Sequence, residues 1–161
     1  MKKFTMILLV LLLMLSGCKH EEEFDKPANL YYLNTDYSGS EIITLFSVEQ
    51  IESQGLSTND ILKQYLSRST GAFSHSPYPS GLQVLRTEII SDTMYITLSS
   101  HYTSISGLDL TLANACLYKT CTELTGVPKI KILINDGPPE NALEILLSQE
   151  DFFLKDDSSV N

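Results

Sequence analysis

Leu15-Ser16-Gly17-Cys18 closes an apolar run in an order that suits one covalent chemistry. Lys2 and Lys3 give the chain a positive start, and Met6 to Leu15 are ten consecutive apolar residues. Two small residues and a cysteine follow. This is the order in which a thiol takes up a diacylglycerol, after which the peptide is cut so that the cysteine leads the mature chain. Cys18 is therefore expected to carry a lipid. Two acyl chains, at about 0.8 kcal/mol per buried methylene, anchor stably where one would be marginal. Left uncleaved as a helix, Phe4 to Leu15 would reach only about 18 Å, against about 30 Å of hydrocarbon.

The other residues able to do chemistry are sparse. The histidines are His20, His75 and His101. His75 lies in Ser74-His75-Ser76, but no Gly-x-Ser-x-Gly elbow or spaced partner accompanies it, so a serine nucleophile is not expected. His20 falls in a charged tether and His101 at a strand end, and three scattered histidines do not make a metal set. Asp36, Asp92 and Asp136 all fall in expected turns, where an Asp side chain bonds local backbone. Cys116 and Cys121 are five apart on one expected helix. That placement holds their Cα atoms beyond the roughly 7 Å a disulfide spans, and both read as small buried apolar residues. No catalytic residue, metal or cofactor is expected.

Composition narrows the partners. The chain has 161 residues and a formal charge of −9. Removing residues 1–17 takes away two lysines, leaving 9 basic against 20 acidic residues and a charge of −11 over 144 residues. A surface so acidic repels nucleic acid and anionic headgroups, so membrane attachment must rest on the lipid.

The elements that would position these residues read as follows. Residues 18–29 are the lipidated cysteine and a polar tether. Leu30 to Leu33 and Ile42 to Val48 are expected strands, separated by a turn rich in Asn, Asp, Ser and Gly. Ser57 or Thr58 caps a helix carrying Ile61, Leu62, Tyr65 and Leu66 at helical spacing. Gly71 to Gly81 is expected to be a loop. Leu82 to Ile90, a tight turn at Ser91-Asp92, and the alternation of Met94, Ile96 and Leu98 make a hairpin. Leu110, Ala113, Leu117, Cys121 and Leu124 form one apolar stripe of a second helix, stopped by Gly126 and Pro128. In Lys129 to Ile134 the isoleucines point in and the lysines out. The order β-β-α-β-β-α-β implies an α+β fold, a mixed sheet with both helices on one face. Residues 138–161 form an extension in which Glu140 to Leu154 is expected to be an amphipathic helix, through Ala142, Ile145, Leu146 and Phe153, and the last residues disordered.

Residues 30–137 resemble the GerMN domain of GerM-type sporulation and germination lipoproteins. The resemblance runs through Leu30-Tyr31-Tyr32-Leu33, Pro79-Ser80-Gly81 leading into Leu82 to Ile90, and Tyr95-Ile96-Thr97-Leu98-Ser99. It continues in Cys121-Thr122-Glu123-Leu124-Thr125-Gly126-Val127 and in Lys129 to Gly137. Thr97 stands where an aspartate is common. The resemblance implies a fold like the small α/β ring-building modules of secretion-type channels, with no catalytic set.

Taken with the anchor, it implies a lipid-anchored, extracytoplasmic interaction module that assembles with envelope proteins. The expected surface is a sheet edge or the face bearing Lys129 and Lys131. Tyr31, Tyr32, Tyr37, Tyr78, Tyr95 and Tyr102 could add apolar area with a polar tip. The alternative is a domain binding a small ligand or cell-wall glycan through the Gly71 to Gly81 loop, with Tyr78 as its contact.

Overall fold

The computed structural model describes residues 27–35, 45–68, 70–71, 74–135 and 142–152. The expected signal, Cys18, His20, Asp36, Tyr37, Asp136 and the final segment lie outside the described residues. In chain order the elements are β1 (Ala28–Asn34), β2 (Phe46–Ile51), α1 (Thr58–Ser67), β3 (Ser74–His75), β4 (Val84–Ile90) and β5 (Thr93–Leu98). A 3₁₀ turn (Ser100–Ser104), α2 (Gly107–Thr125), β6 (Lys129–Ile134), β7 (Leu143–Leu147) and a second 3₁₀ turn (Gln149–Asp151) complete it. The α+β order expected from the sequence is present, with β3 and β7 added.

The strands divide into two sheets rather than one. β2-β1-β3 is antiparallel, and β4-β5-β6-β7 is mixed, with β5 and β6 parallel and the outer pairs antiparallel. The reason lies in α2. Its expected stripe is present, but Ala115, Cys116, Tyr118 and Thr120 are buried as well. A helix apolar on more than one side must be covered on more than one side. α2 packs on β1 as well as on β6. The first strand therefore cannot join the larger sheet.

Local chemistry sets the element ends. Ser57 Oγ accepts from the Asp60 N–H at 3.2 Å to cap α1. Gly126 closes α2 in the left-handed region at φ 72°, its N–H donating to Thr122 O at 2.8 Å. Ser91-Asp92 turns β4 into β5, and Ser91 takes φ 59°.

The tail corrects an expectation. Residues 143–147 form a strand on the edge of β6, where the spacing of apolar residues suggested a helix. Leu147 pairs with Ile130 on the buried face, and Phe152 is buried against Tyr118 with ring centroids 5.3 Å apart. The Gly71 to Gly81 segment also departs from a pure loop, because Ser74 and His75 pair with Asn34 and Leu33 of β1.

Candidate interaction face

Among the described residues, the larger sheet has one covered face and one that is half-buried to exposed. Met94, Ile96, Leu98, Ile130, Ile132 and Ile134 line the covered side and are buried. Their neighbours in sequence point the other way because side chains alternate along a strand. Thr93, Tyr95 and Thr97 of β5 lie beside Lys129, Lys131 and Leu133 of β6, and Lys131 and Leu133 lie beside Leu146 and Glu144 of β7. Lys129 and Lys131 thus share a face, as the alternation predicts.

That face is charge-paired rather than basic. Lys129 Nζ donates to Asp92 Oδ2 at 2.8 Å, and Lys131 Nζ stands 2.7 Å from Glu144 Oε2. Each lysine is held charged above its ordinary range, chiefly by the hydrogen bond to its carboxylate, and Asp92 is pulled below its own by Lys129. The Lys131 ammonium also sits 5.9 Å from the centre of the Tyr95 ring. The face carries a half-buried tyrosine, a half-buried Leu133 and an exposed Leu146 among these pairs.

Tyr78 is not on any surface. It is 8% exposed, and its hydroxyl lies 2.8 Å from that of Tyr65 and 3.1 Å from Ala113 O. Tyr65 Oη also stands 2.6 Å from Tyr31 O. Two hydroxyl protons serve three contacts. The shortest takes the Tyr65 proton, and Tyr78 divides its own between Tyr65 Oη and Ala113 O. Burial pushes both phenols well above their ordinary range. This cluster joins β1, α1, α2 and the loop before β4. The expectation that Tyr78 contacts a ligand is thereby corrected: its hydroxyl is already engaged inside the core. Sequence reasoning missed this because Pro77 and Pro79 around it signal an exposed loop.

Tyr32 and Tyr102 are buried too, leaving Tyr31 and Tyr95 as the described tyrosines from the expected set with surface. Tyr31 donates to Glu123, and Lys119 lies 5.2 Å from its ring centre.

The remaining candidates are placed as follows. His75 is exposed on β3. His101 is exposed in the 3₁₀ turn, its Nδ1 3.3 Å from Ser99 Oγ, which also accepts from the Gln83 N–H. Cys116 and Cys121 are buried free thiols, pushed up by burial, Cys116 to about 12. Among the described residues, no group of three or more His, Cys, Asp or Glu is placed to hold a metal ion. No helix among them is long and apolar enough to cross a membrane.

The fold defines an α+β module of two sheets about a shared helix. Residues 29–140 match the family described as Germane, sporulation and spore germination, and the chain belongs to that family. The sequence resemblance to the GerMN domain is borne out by this match. A 2.5 Å crystal structure described as a "Putative Lipoprotein from Clostridium perfringens" is similar at 19% identity with a TM-score of 0.45, covering 81% of this chain and 93% of that one. No curated protein matches the chain.

Proposed function

We propose that the chain is a lipid-anchored, extracytoplasmic, non-catalytic module that assembles with envelope proteins of sporulation or spore germination. Membership of a sporulation and germination family carries the reading. The sheet face bearing Lys129 and Lys131 supports it, because Tyr95, Leu133 and Leu146 interleaved with paired charges suit a partner that is recognised by position rather than by net charge. The Leu15-Ser16-Gly17-Cys18 order supports the anchor.

The test is an in-cell crosslink followed by recovery through the C-terminus, with Cys18→Ala as the unanchored control. Recovery of envelope or sporulation-channel proteins that falls with Cys18→Ala is the expected outcome. An intact, membrane-bound chain that recovers none of them would overturn the reading. The surface is tested by reversing Lys129 and Lys131 together to glutamate. Each reversal sets a carboxylate beside Asp92 or Glu144, and solvent-screened pairs of this kind add little to folding. Folding should persist, therefore, while partner recovery drops. Unchanged recovery would move the contact elsewhere on the molecule.

A further inference from the structure

We infer that β2 pairs with the β2 of a second copy of this chain, antiparallel, joining the two smaller sheets into one of six strands. β2 ends the smaller sheet, with β1 as its only strand partner among the described residues. Its register runs unbroken from Ala28 opposite Ile51 to Leu33 opposite Phe46. The helices make their main contacts elsewhere, α1 on β4 and α2 on β1 and β6.

The ladder decides which backbone groups face outward. The Asn34 N–H donates to Leu45 O at 3.0 Å, so Asn34 faces β2. By alternation so do Tyr32, Leu30 and Ala28, which exchange hydrogen bonds with Ser47, Glu49 and Ile51. Tyr31 has the opposite parity, its N–H donating to Thr120 Oγ1 and its C=O accepting from the Tyr65 hydroxyl. The far side of β1 is thus filled by β3 and by side chains. Phe46, Val48 and Gln50 turn their N–H and C=O groups away from β1, and no described residue bonds those groups. Such a row is a template for another strand unless charge or a bulge guards it. Val48 is 51% exposed, and all three side chains of the row are uncharged. Glu49 is the one charged residue of β2. It points to the other face, where Arg68 and the Gly71 N–H hold it.

Hydrogen bonding then selects the register. Outward residues must oppose outward residues, so the two-fold axis passes a residue. An axis at Val48 sets Val48 against its own copy and Phe46 against Gln50 of the other, which bonds every outward group of the strand. An axis at Ser47 or at Glu49 leaves some of them without a strand partner, and the latter also opposes two glutamates. Val48 lies opposite Tyr31 in its own sheet, so the Val48 axis joins two such pairs into one row.

That the occupant is a second copy rests on the lipid anchor proposed above. A single strand edge buries less than the about 1,000 Å² expected of a stable interface in solution, so pairing depends on confinement to a surface. Between Cys18 and Ala28 the chain reaches at most about 36 Å. The two-fold axis of an antiparallel ladder stands perpendicular to the sheet. With that axis along the membrane normal, both chains reach one leaflet, and the isologous contact closes as a dimer.

The experiment uses the full chain in its own membranes, with membrane fractionation alongside. Val48→Cys places two thiols across the axis at the roughly 5.5 Å Cα separation of a hydrogen-bonded pair, inside disulfide range. Cys116 and Cys121 are buried and do not compete. Mild oxidation should give about ten times the dimer formed by Leu146→Cys, the collision control on β7. Co-expressed Phe46→Cys and Gln50→Cys chains should crosslink to each other and neither to itself, as the Val48 axis alone allows. Adding Gln50→Pro to Val48→Cys removes an outward N–H and no bond to β1. The urea midpoint should therefore hold while the dimer falls about tenfold. A Val48→Cys yield no higher than that of Leu146→Cys overturns the pairing, and a chain still found in the membrane fraction then leaves the anchor standing. A soluble chain that crosslinks through Val48 upholds the pairing and overturns the anchor. A folded Gln50→Pro chain that still forms the dimer, or Phe46→Cys chains that crosslink alone, would also overturn the proposal.

Discussion

Tyr102 places its hydroxyl 2.7 Å from Asn114 Oδ1, on a side chain 9% exposed within α2. Neither group has water to fall back on, so each satisfies the other. Tyr102→Phe keeps the ring and removes the donor, leaving a buried amide oxygen without that bond. The expected loss is about 1–3 kcal/mol, read from urea unfolding. A loss below the error of the measurement would mean that the amide has another partner. Tyr65 and Tyr78 obey the same logic with partners distant in sequence, which is why their roles were not legible. A tyrosine between prolines looks like a loop residue until residues 13 and 35 positions away turn out to hold its hydroxyl. Lys129 and Lys131 were legible, since strict alternation with isoleucine leaves them one face. Their carboxylate partners, on a turn 37 positions earlier and on a strand beyond the expected domain, were not.

At the scale of elements, periodicity decided most of the outcome and misled in two places. In the tail, Leu143, Ile145 and Leu147 alternate with period two, while Ala142, Ile145 and Leu146 also fit a helix. The strand wins because β6 would otherwise leave one side of its ladder unpaired beside a buried face. In α2, one stripe was legible and the second was hidden, because Lys119, Thr120 and Glu123 look like a solvated face. The Tyr31 N–H donates to Thr120 Oγ1 at 3.0 Å, so that face is in fact a contact with β1. The tail is thus integral to the fold. Phe152→Ala removes a buried ring packed on Tyr118 and should lower the melting temperature by about 5–10 °C, at about 2–3 kcal/mol for a ring near an edge. A melting temperature within a degree or so of the parent would show that residues beyond β7 do not hold the domain.

For the whole molecule, the buried acids set an alkaline limit. Cys116 is raised to about 12 and Cys121 further, while Tyr32, Tyr65, Tyr78 and Tyr102 all lie far above the ordinary value of 10.0, with burial the leading cause throughout. Each group keeps its proton in the fold and loses it when unfolded. The stabilisation is therefore complete below the unfolded values, near 9.0 for the thiols and 10.0 for the phenols, and is lost as pH rises towards the folded ones. The urea midpoint should hold steady to about pH 8 and fall steeply by about pH 10.5. A constant midpoint across that interval would contradict the burial of these groups.

The bond from Tyr31 to Thr120 spans 89 positions, and it has a temporal consequence. β1 is the first described strand to leave a ribosome or a translocation pore, yet the surface it rests on is α2, which is complete only at Thr125. The large sheet waits longer still, since β5 and β6 pair across the whole of α2 and β7 ends at Leu147. Loop closure of that length precedes any reward from packing. A chain delivered N-terminus first can therefore pair β1 with β2 and β4 with β5 early, but it covers β1 only once α2 has followed and completes the larger sheet only once β7 has.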